Sequence, residues 1–239
     1  MADREKNCCH PWLGVAFASL VYLLWLGNLV FWLHPGRPDL AWGWALLGVA
    51  VQTLLYTGLF ITAHDAMHHA VAPGSLTLNR WIGRIAVWSY ALMKYSDLQR
   101  RHGLHHSYPA SAKDPDFHDG RHAAPLRWYL HFMLNYLSGW QIAGMALLFN
   151  LLQHGLGIAV ERLLLFWVLP AFLSTVQLFY FGTCLPHRER GTARDAVHRA
   201  RSSGYPAWLS LLTCYHFGYH LEHHLFPRTP WWRLPRRRL

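Results

Sequence analysis

Acidic side chains are scarce in this sequence. Its 239 residues carry 12 Asp and Glu against 22 Lys and Arg, and charged residues of both signs make up only 14%. Typical soluble domains hold about 25% charged residues. So small a share, beside 53% hydrophobic residues and 13 Trp, points away from a soluble globular protein. Cysteine is sparse as well. Cys8, Cys9, Cys184 and Cys214 fall into no spacing that makes a disulfide framework or a zinc site, which leaves them as inert thiols. No Ser-His-Asp arrangement, P-loop or dinucleotide fingerprint is present, so nucleophilic and nucleotide chemistry are not indicated.

What the chain does contain is apolar length. Four stretches, 13–33, 40–63, 128–153 and 163–186, hold no charged residue. Each is long enough to cross a bilayer, which takes about 20 apolar residues. Pro170 inside the last is expected to kink it. The run 13–33 is too long for a signal-peptide core and lacks a cleavage site, so it reads as a retained membrane helix. The turn "HPGRPD" (34–39) and the segment 154–162 join the spans in pairs as tight hairpins. Of the basic residues, only Arg37 and Arg162 fall in these hairpins. The others lie in the N-terminus, in 64–127 and in 187–239, which places both termini and the central loop in the cytoplasm. The net charge of +10 is then a topology signal, and no nucleic-acid binding is expected. Two further segments, 80–95 and 206–224, mix Trp, Tyr and basic or polar residues as interfacial helices do. The tail "PRRRL" suits contact with anionic lipid. The expected fold is a single all-α integral membrane domain over 1–239: four transmembrane helices, interfacial helices and a cytoplasmic His-rich cap.

Histidine is concentrated where the spans end. "HDAMH" sets His64 and His68 at i and i+4. "HGLHH" gives His102, His105 and His106, and "HLEHH" gives His220, His223 and His224, both at i, i+3 and i+4. These spacings put the rings of each run on one helix face. "LPHR" adds His187 after the fourth span. With the predicted topology all four groups converge at one depth. Nine imidazoles are too many for one metal, since a structural zinc takes about four ligands. They suit two metals with four or five ligands each. Ligand type does not select the metal, but zinc has no redox chemistry, and iron that activates O₂ fits an all-His site at a membrane surface. Asp65, Asp114, Asp116 and Glu222 sit among or near these runs and are candidates to orient imidazoles through the free ring N–H. His216, four residues before His220, shares its helix face by spacing and is a candidate tenth ligand or a partner that orients one. His69 points off the face of His64, and His10, His34, His118, His122, His131, His154 and His198 lack ligand spacing.

Longer strings add a resemblance. The tripartite histidine pattern resembles the membrane di-iron oxygenases and desaturases. "LYTGLFITAHDAMH", "DPDFHDG", "QLFYFGTCLPHR" and "CYHFGYHLEHH", followed by "PWWRLP", resemble the bacterial and cyanobacterial β-carotene ketolases, from about residue 40 to the C-terminus. The chain departs from that pattern at His69, where the family commonly has Gly. The resemblance implies that His64, His68, His102, His105, His106, His220, His223 and His224 hold two Fe²⁺ ions, with His187 as an additional ligand. It implies O₂ as co-substrate, an external electron donor of ferredoxin type, and a β-carotene or zeaxanthin substrate whose ring C4 methylene becomes a ketone. It also implies residence in the inner, cytoplasmic membrane. Rival readings are a membrane fatty-acyl desaturase or hydroxylase, a carotenoid 3-hydroxylase, and a non-catalytic haem carrier or metal transporter. The last two expect ligands inside the spans rather than at their ends.

Overall fold

The structure is a computed structural model that describes residues 12–36, 42–188 and 197–239. Cys8, Cys9, His10 and residues 37–39 of the expected turn, Arg37 among them, lie outside the described residues. Among the described residues helix is the only regular structure, with no strand. Cys184 and Cys214 are buried free thiols.

Helix α1 (Leu13–Leu33) and helix α2 (Trp42–Met67) are apolar around their circumference, as membrane helices are. At 1.5 Å per residue, the 26 residues of α2 extend about 39 Å. That exceeds the about 30 Å hydrocarbon core of a bilayer, so α2 is longer than a perpendicular span needs. Polar groups inside the pair are matched to each other. Asn28 Nδ2 donates to Gln52 Oε1 at 2.6 Å, and Gln52 Nε2 donates to the Trp25 carbonyl at 3.4 Å. Unpaired amides in hydrocarbon would cost several kcal/mol each.

Helix α3 (Leu76–Ala91) starts on Ser75, whose Oγ accepts the Leu78 N–H, and stops at Leu92 with φ 52°. The interfacial helix expected over 80–95 is therefore cut short, and Tyr95 opens helix α4 (Tyr95–Ser107) instead.

The stretch expected to form one span at 128–153 is two helices, α5 (Pro125–Tyr136) and α6 (Gly139–Gly155), bent by 85°. The break has a local cause. Leu137 is extended, and Ser138 and Gln141 form a capping box that satisfies the first N–H groups of α6. Helix α7 (Val160–His187) runs unbroken through Pro170. The expected kink is taken up by a π-type turn, Leu164–Val168, just before that proline; a second, Leu178–Cys184, precedes Pro186. Such wide turns accommodate the missing proline N–H. Among the described residues, three helices, α1, α2 and α7, are thus long and apolar enough to cross a membrane, or four if the bent pair counts as one span.

Helix α8 (Ala207–Cys214) ends where Tyr215 and His216 both turn left-handed, with φ 47° and 64°. Helix α9 (His220–Leu225) follows, and a 3₁₀ segment, Trp231–Arg237, closes the chain. The single helix expected over 206–224 is therefore two. Helix α2 packs against α1, α3 and α7 around a core rich in aromatic rings, including Trp25, Tyr56, Tyr90 and Trp167.

Candidate metal centre

Each helix delivers its histidines from an end. His64 lies in the last turn of α2 and His68 just beyond it. The C-terminal half of α4 carries His102, His105 and His106, and His187 ends α7. The short α9 carries His220, His223 and His224, all buried. The left-handed pair at Tyr215 and His216 reverses the chain so that α9 returns over the ends of α2 and α4.

The nine imidazoles named from the sequence come together as two groups. His64, His68, His102, His106 and His223 form one, and His105, His187, His220 and His224 the other. Within each group the candidate donor atoms all lie within 4.8 Å of one another. Pairs of Nε2 atoms approach closely: 2.7 Å for His68 and His102, 2.9 Å for His106 and His223, 2.8 Å for His187 and His220, and 3.1 Å for His220 and His224. The groups share a wall, where the His106 ring stacks on His224 with centroids 4.4 Å apart. His69 joins neither group, and neither does His198, whose ring centroid lies 6.1 Å from that of His224.

Behind the rings stand acceptors that fix them. His105 Nδ1 lies 3.0 and 3.1 Å from the two Asp114 oxygens and 3.8 Å from Asp116. Asp114 is the anchor of its loop, accepting the N–H groups of Ala110 and Asp116. Asp116 accepts instead from the Tyr136 hydroxyl. His64 Nδ1 is 3.4 Å from Asp65, whose other oxygen accepts the Trp231 N–H at 2.9 Å. His187 Nδ1 donates to the Arg199 carbonyl at 3.0 Å. Two expectations fail here. Glu222 turns away from the imidazoles, accepting from the Ser202 hydroxyl and the Leu239 N–H. His216 does not share a face with His220, because the chain is not helical between them; its ring lies beside Trp231 and Tyr219. The Asp114 bond carries only a weak signal in the D-P-D string. The Arg199 carbonyl carries none, since any residue offers one.

The donor set fits metal ions. A carbonyl only accepts, so His187 must carry its proton on Nδ1, and a neutral ring then aims a bare Nε2 lone pair at His220. His64 Nε2 is buried and has no hydrogen-bond partner, while its Nδ1 faces Asp65. Buried ring nitrogens that converge at such distances are a donor set suited to cations. Burial and the neighbouring imidazoles push His102, His220, His223 and His224 well below the ordinary histidine range. The same causes bring His68 to about 4 and His106 to about 2. Neutral imidazole is the ligating form, so these rings are ready at neutral pH. His105 is the exception. Burial lowers it, but the hydrogen bond and charge of Asp114, with Asp116 behind, outweigh burial and raise it.

Beside the two groups lies a cavity of about 140 Å³, walled by Phe60, Phe132, Met133 and Leu178. His64, His102, His105 and His220 belong to the same wall, so it touches both groups. A dry cavity of about 150 Å³ takes a single hydrocarbon ring. Leu137, at the bend between α5 and α6, lines the cavity and is 45% exposed, which marks where it meets the exterior.

The fatty acid desaturase family profile matches residues 40–162 and 140–238. The chain is 43% identical to the β-carotene ketolase of Paracoccus sp. (strain PC1) over 230 residues, covering 95% of this chain and 91% of that protein. It is 42% identical to the β-carotene 4-ketolase of Protosiphon botryoides, covering 82% of this chain. It is 40% identical to the zeaxanthin 4-ketolase of Chlamydomonas reinhardtii, covering 90% of this chain. The matches span about half of the two algal proteins, 51% and 49%.

Proposed function

The chain belongs to the fatty acid desaturase family and, within it, to the β-carotene ketolases, and on that premise we propose that it is a membrane oxygenase that turns the C4 methylene of a β-ionone ring into a ketone. The observation that carries this reading is the division of nine imidazoles, five and four, beside one apolar, ring-sized cavity. The group of five would hold one iron and the group of four the other. When bound, iron supplies the redox chemistry with O₂ that no side chain has.

The protein's own residues do the rest. Asp114, Asp65 and the Arg199 carbonyl hold ring N–H groups from behind, so that the opposite nitrogens face inward. Phe60, Phe132 and Met133 exclude water and confine a ring near the ligands. The pose then decides which carbon reacts. A 40-carbon substrate exceeds the cavity, so its polyene would pass out by Leu137 toward the lipid in which it dissolves. Each hydroxylation consumes one O₂, two electrons and two protons, and releases one water. Two at the same carbon give a geminal diol, which loses water to become the ketone.

The bent pair α5–α6 would serve as the fourth span. Both termini and the histidine face would be cytoplasmic in the inner membrane, as the placement of Lys and Arg supports. The external donor would be of ferredoxin type, and zeaxanthin is a second substrate to try, giving astaxanthin. Expression in a bacterium that accumulates β-carotene, with liquid chromatography and mass detection of the pigments, tests the reading. Echinenone and canthaxanthin are expected, and both should vanish with His223→Ala. Unchanged β-carotene from membrane-inserted, iron-loaded protein would overturn it; hydroxylated carotenoids or altered fatty acids would point to the rival chemistries.

A further inference from the structure

The ligand helix α9 runs out of the buried site directly to the surface. His223 and His224 are buried, while the next two residues, Leu225 and Phe226, are 37% and 39% exposed. From 225 to 239 the chain carries five arginines and no acidic residue. Arg228, Arg236 and Arg238 are exposed. The arginines are interleaved with rings: the Arg237 guanidinium lies 5.0 Å from the centre of the Phe226 ring, and that of Arg238 lies 5.9 Å from Tyr219. This basic segment is fastened to the metal centre at two points. The Trp231 N–H donates to Asp65, which backs His64, and the Leu239 N–H donates to Glu222, which sits between His220 and His223 in α9. Glu222 thus has a positional use that its expected role as an imidazole partner did not supply.

We propose that Leu225 and Phe226, with the exposed Arg228, Arg236 and Arg238 of the same segment, form the docking surface for an acidic one-electron carrier protein. This rests on the oxygenase reading above, which demands two electrons for each hydroxylation. The patch meets that demand because its apolar centre lies one and two residues along the chain from His224, a ligand on that reading. A carrier seated there would deliver electrons into α9, and His223 and His224 belong to different imidazole groups, so one docking position serves both. A small apolar centre with a charged rim is the anatomy of a transient protein interface, and opposite charge speeds encounter. Anionic lipid is the competing occupant for arginines. The exposed apolar side chains of the segment, Leu225, Phe226 and Leu239, do not lie on one helix and so lack the continuous stripe of a membrane-lying helix, which favours the protein.

The test uses the full chain in phosphatidylcholine nanodiscs, with a reduced, net-negative plant-type ferredoxin as the probe. Binding is titrated at low and high salt, and metal-centre reduction is followed by stopped flow, with dithionite in parallel. The triple variant Arg228→Glu, Arg236→Glu, Arg238→Glu should weaken ferredoxin binding about tenfold or more and flatten its salt dependence. Its iron content and its reduction by dithionite should match the parent's. If that variant loses iron, the matching triple Gln variant carries the comparison. Phe226→Ala should weaken binding with the salt dependence kept. Parent-like ferredoxin binding by the charge variants overturns the proposal. So does loss only of binding to phosphatidylglycerol vesicles, which would assign the patch to lipid. Dithionite-driven ketone formation separately tests the ketolase reading, because its failure leaves the ferredoxin titration readable.

Discussion

His105 differs from the other imidazoles in having a buried carboxylate held at two oxygens behind it. Asp114 thereby fixes which nitrogen faces the other three rings of its group, and it also folds the 110–116 loop. Asp114→Asn keeps the shape and removes the charge, so metal affinity should fall by about 10- to 100-fold. Iron analysis after dialysis against graded chelator measures this, and parent-like retention would remove Asp114 from the site. His216 gives the opposite expectation. Among the described residues its ring neighbours are Tyr219 and Trp231 and no imidazole, so His216→Gln should keep the parent's iron stoichiometry in the same assay. These two residues also show what can be read from sequence at this scale. Ligand spacing is visible because i, i+3 and i+4 repeat whatever surrounds them. His216 satisfies the same spacing and fails, because the spacing argument holds only while the backbone stays helical, and two left-handed residues intervene. Asp65, Asp114 and Asp116 can be named as neighbours of the site. Which of them touches which ring depends on loop closure over distances that a sequence string does not encode.

At the scale of helices, α2 is the element on which the others are placed, and Gly58 shows how closely. A Cβ at that position would stand 2.5 Å from Tyr215 Oη and 2.9 Å from Val21 Cγ1. Tyr215 is the residue that ends α8 and begins the reversal into α9. Gly58→Ala should therefore destabilise the protein by about 1–3 kcal/mol through overpacking, seen as a lowered Tm in detergent. Adding Tyr215→Phe, which removes the crowding oxygen, should restore part of the loss; no recovery would mean that the ring carbon Cζ, at 2.7 Å, or Val21 sets the limit. Long charge-free runs make α1, α2 and α7 apparent in the sequence. The 85° break between α5 and α6 is harder to see there, because Leu137 and Ser138 do not interrupt the apolar run. Its local signal is S-x-x-Q, Ser138 to Gln141, the pattern of a helix start. The end of α3 at Leu92 has no such signal, since nothing about leucine favours a positive φ.

For the molecule as a whole, the price of gathering so many histidines is sensitivity to acid, and the sign follows from the direction of each shift. In the unfolded chain histidine titrates near about 6.5. In the metal-free fold His68, His102, His106, His220, His223 and His224 are all lowered, chiefly by burial. Between the two values the unfolded chain binds protons that the fold does not, so stability must rise with pH across that window. The contribution of these six rings is complete above about 6.5 and is lost as pH falls toward the folded values, about 4 for His68 and about 2 for His106. His105 acts oppositely. Its raised value supports the fold below the unfolded pKa and is lost only as pH climbs through the folded one. One ring against six leaves the balance acid-labile. Chelator-treated protein in detergent should therefore show a Tm that falls steadily from pH 7 to pH 5. Reloading with iron should raise the whole curve, because a ligand that binds only the fold stabilises it by mass action. It should also steepen the fall on acidification, since protons compete with metal for the same nitrogens. A Tm flat across this range in the metal-free protein would mean that water reaches these rings and that the site is not closed in the absence of metal.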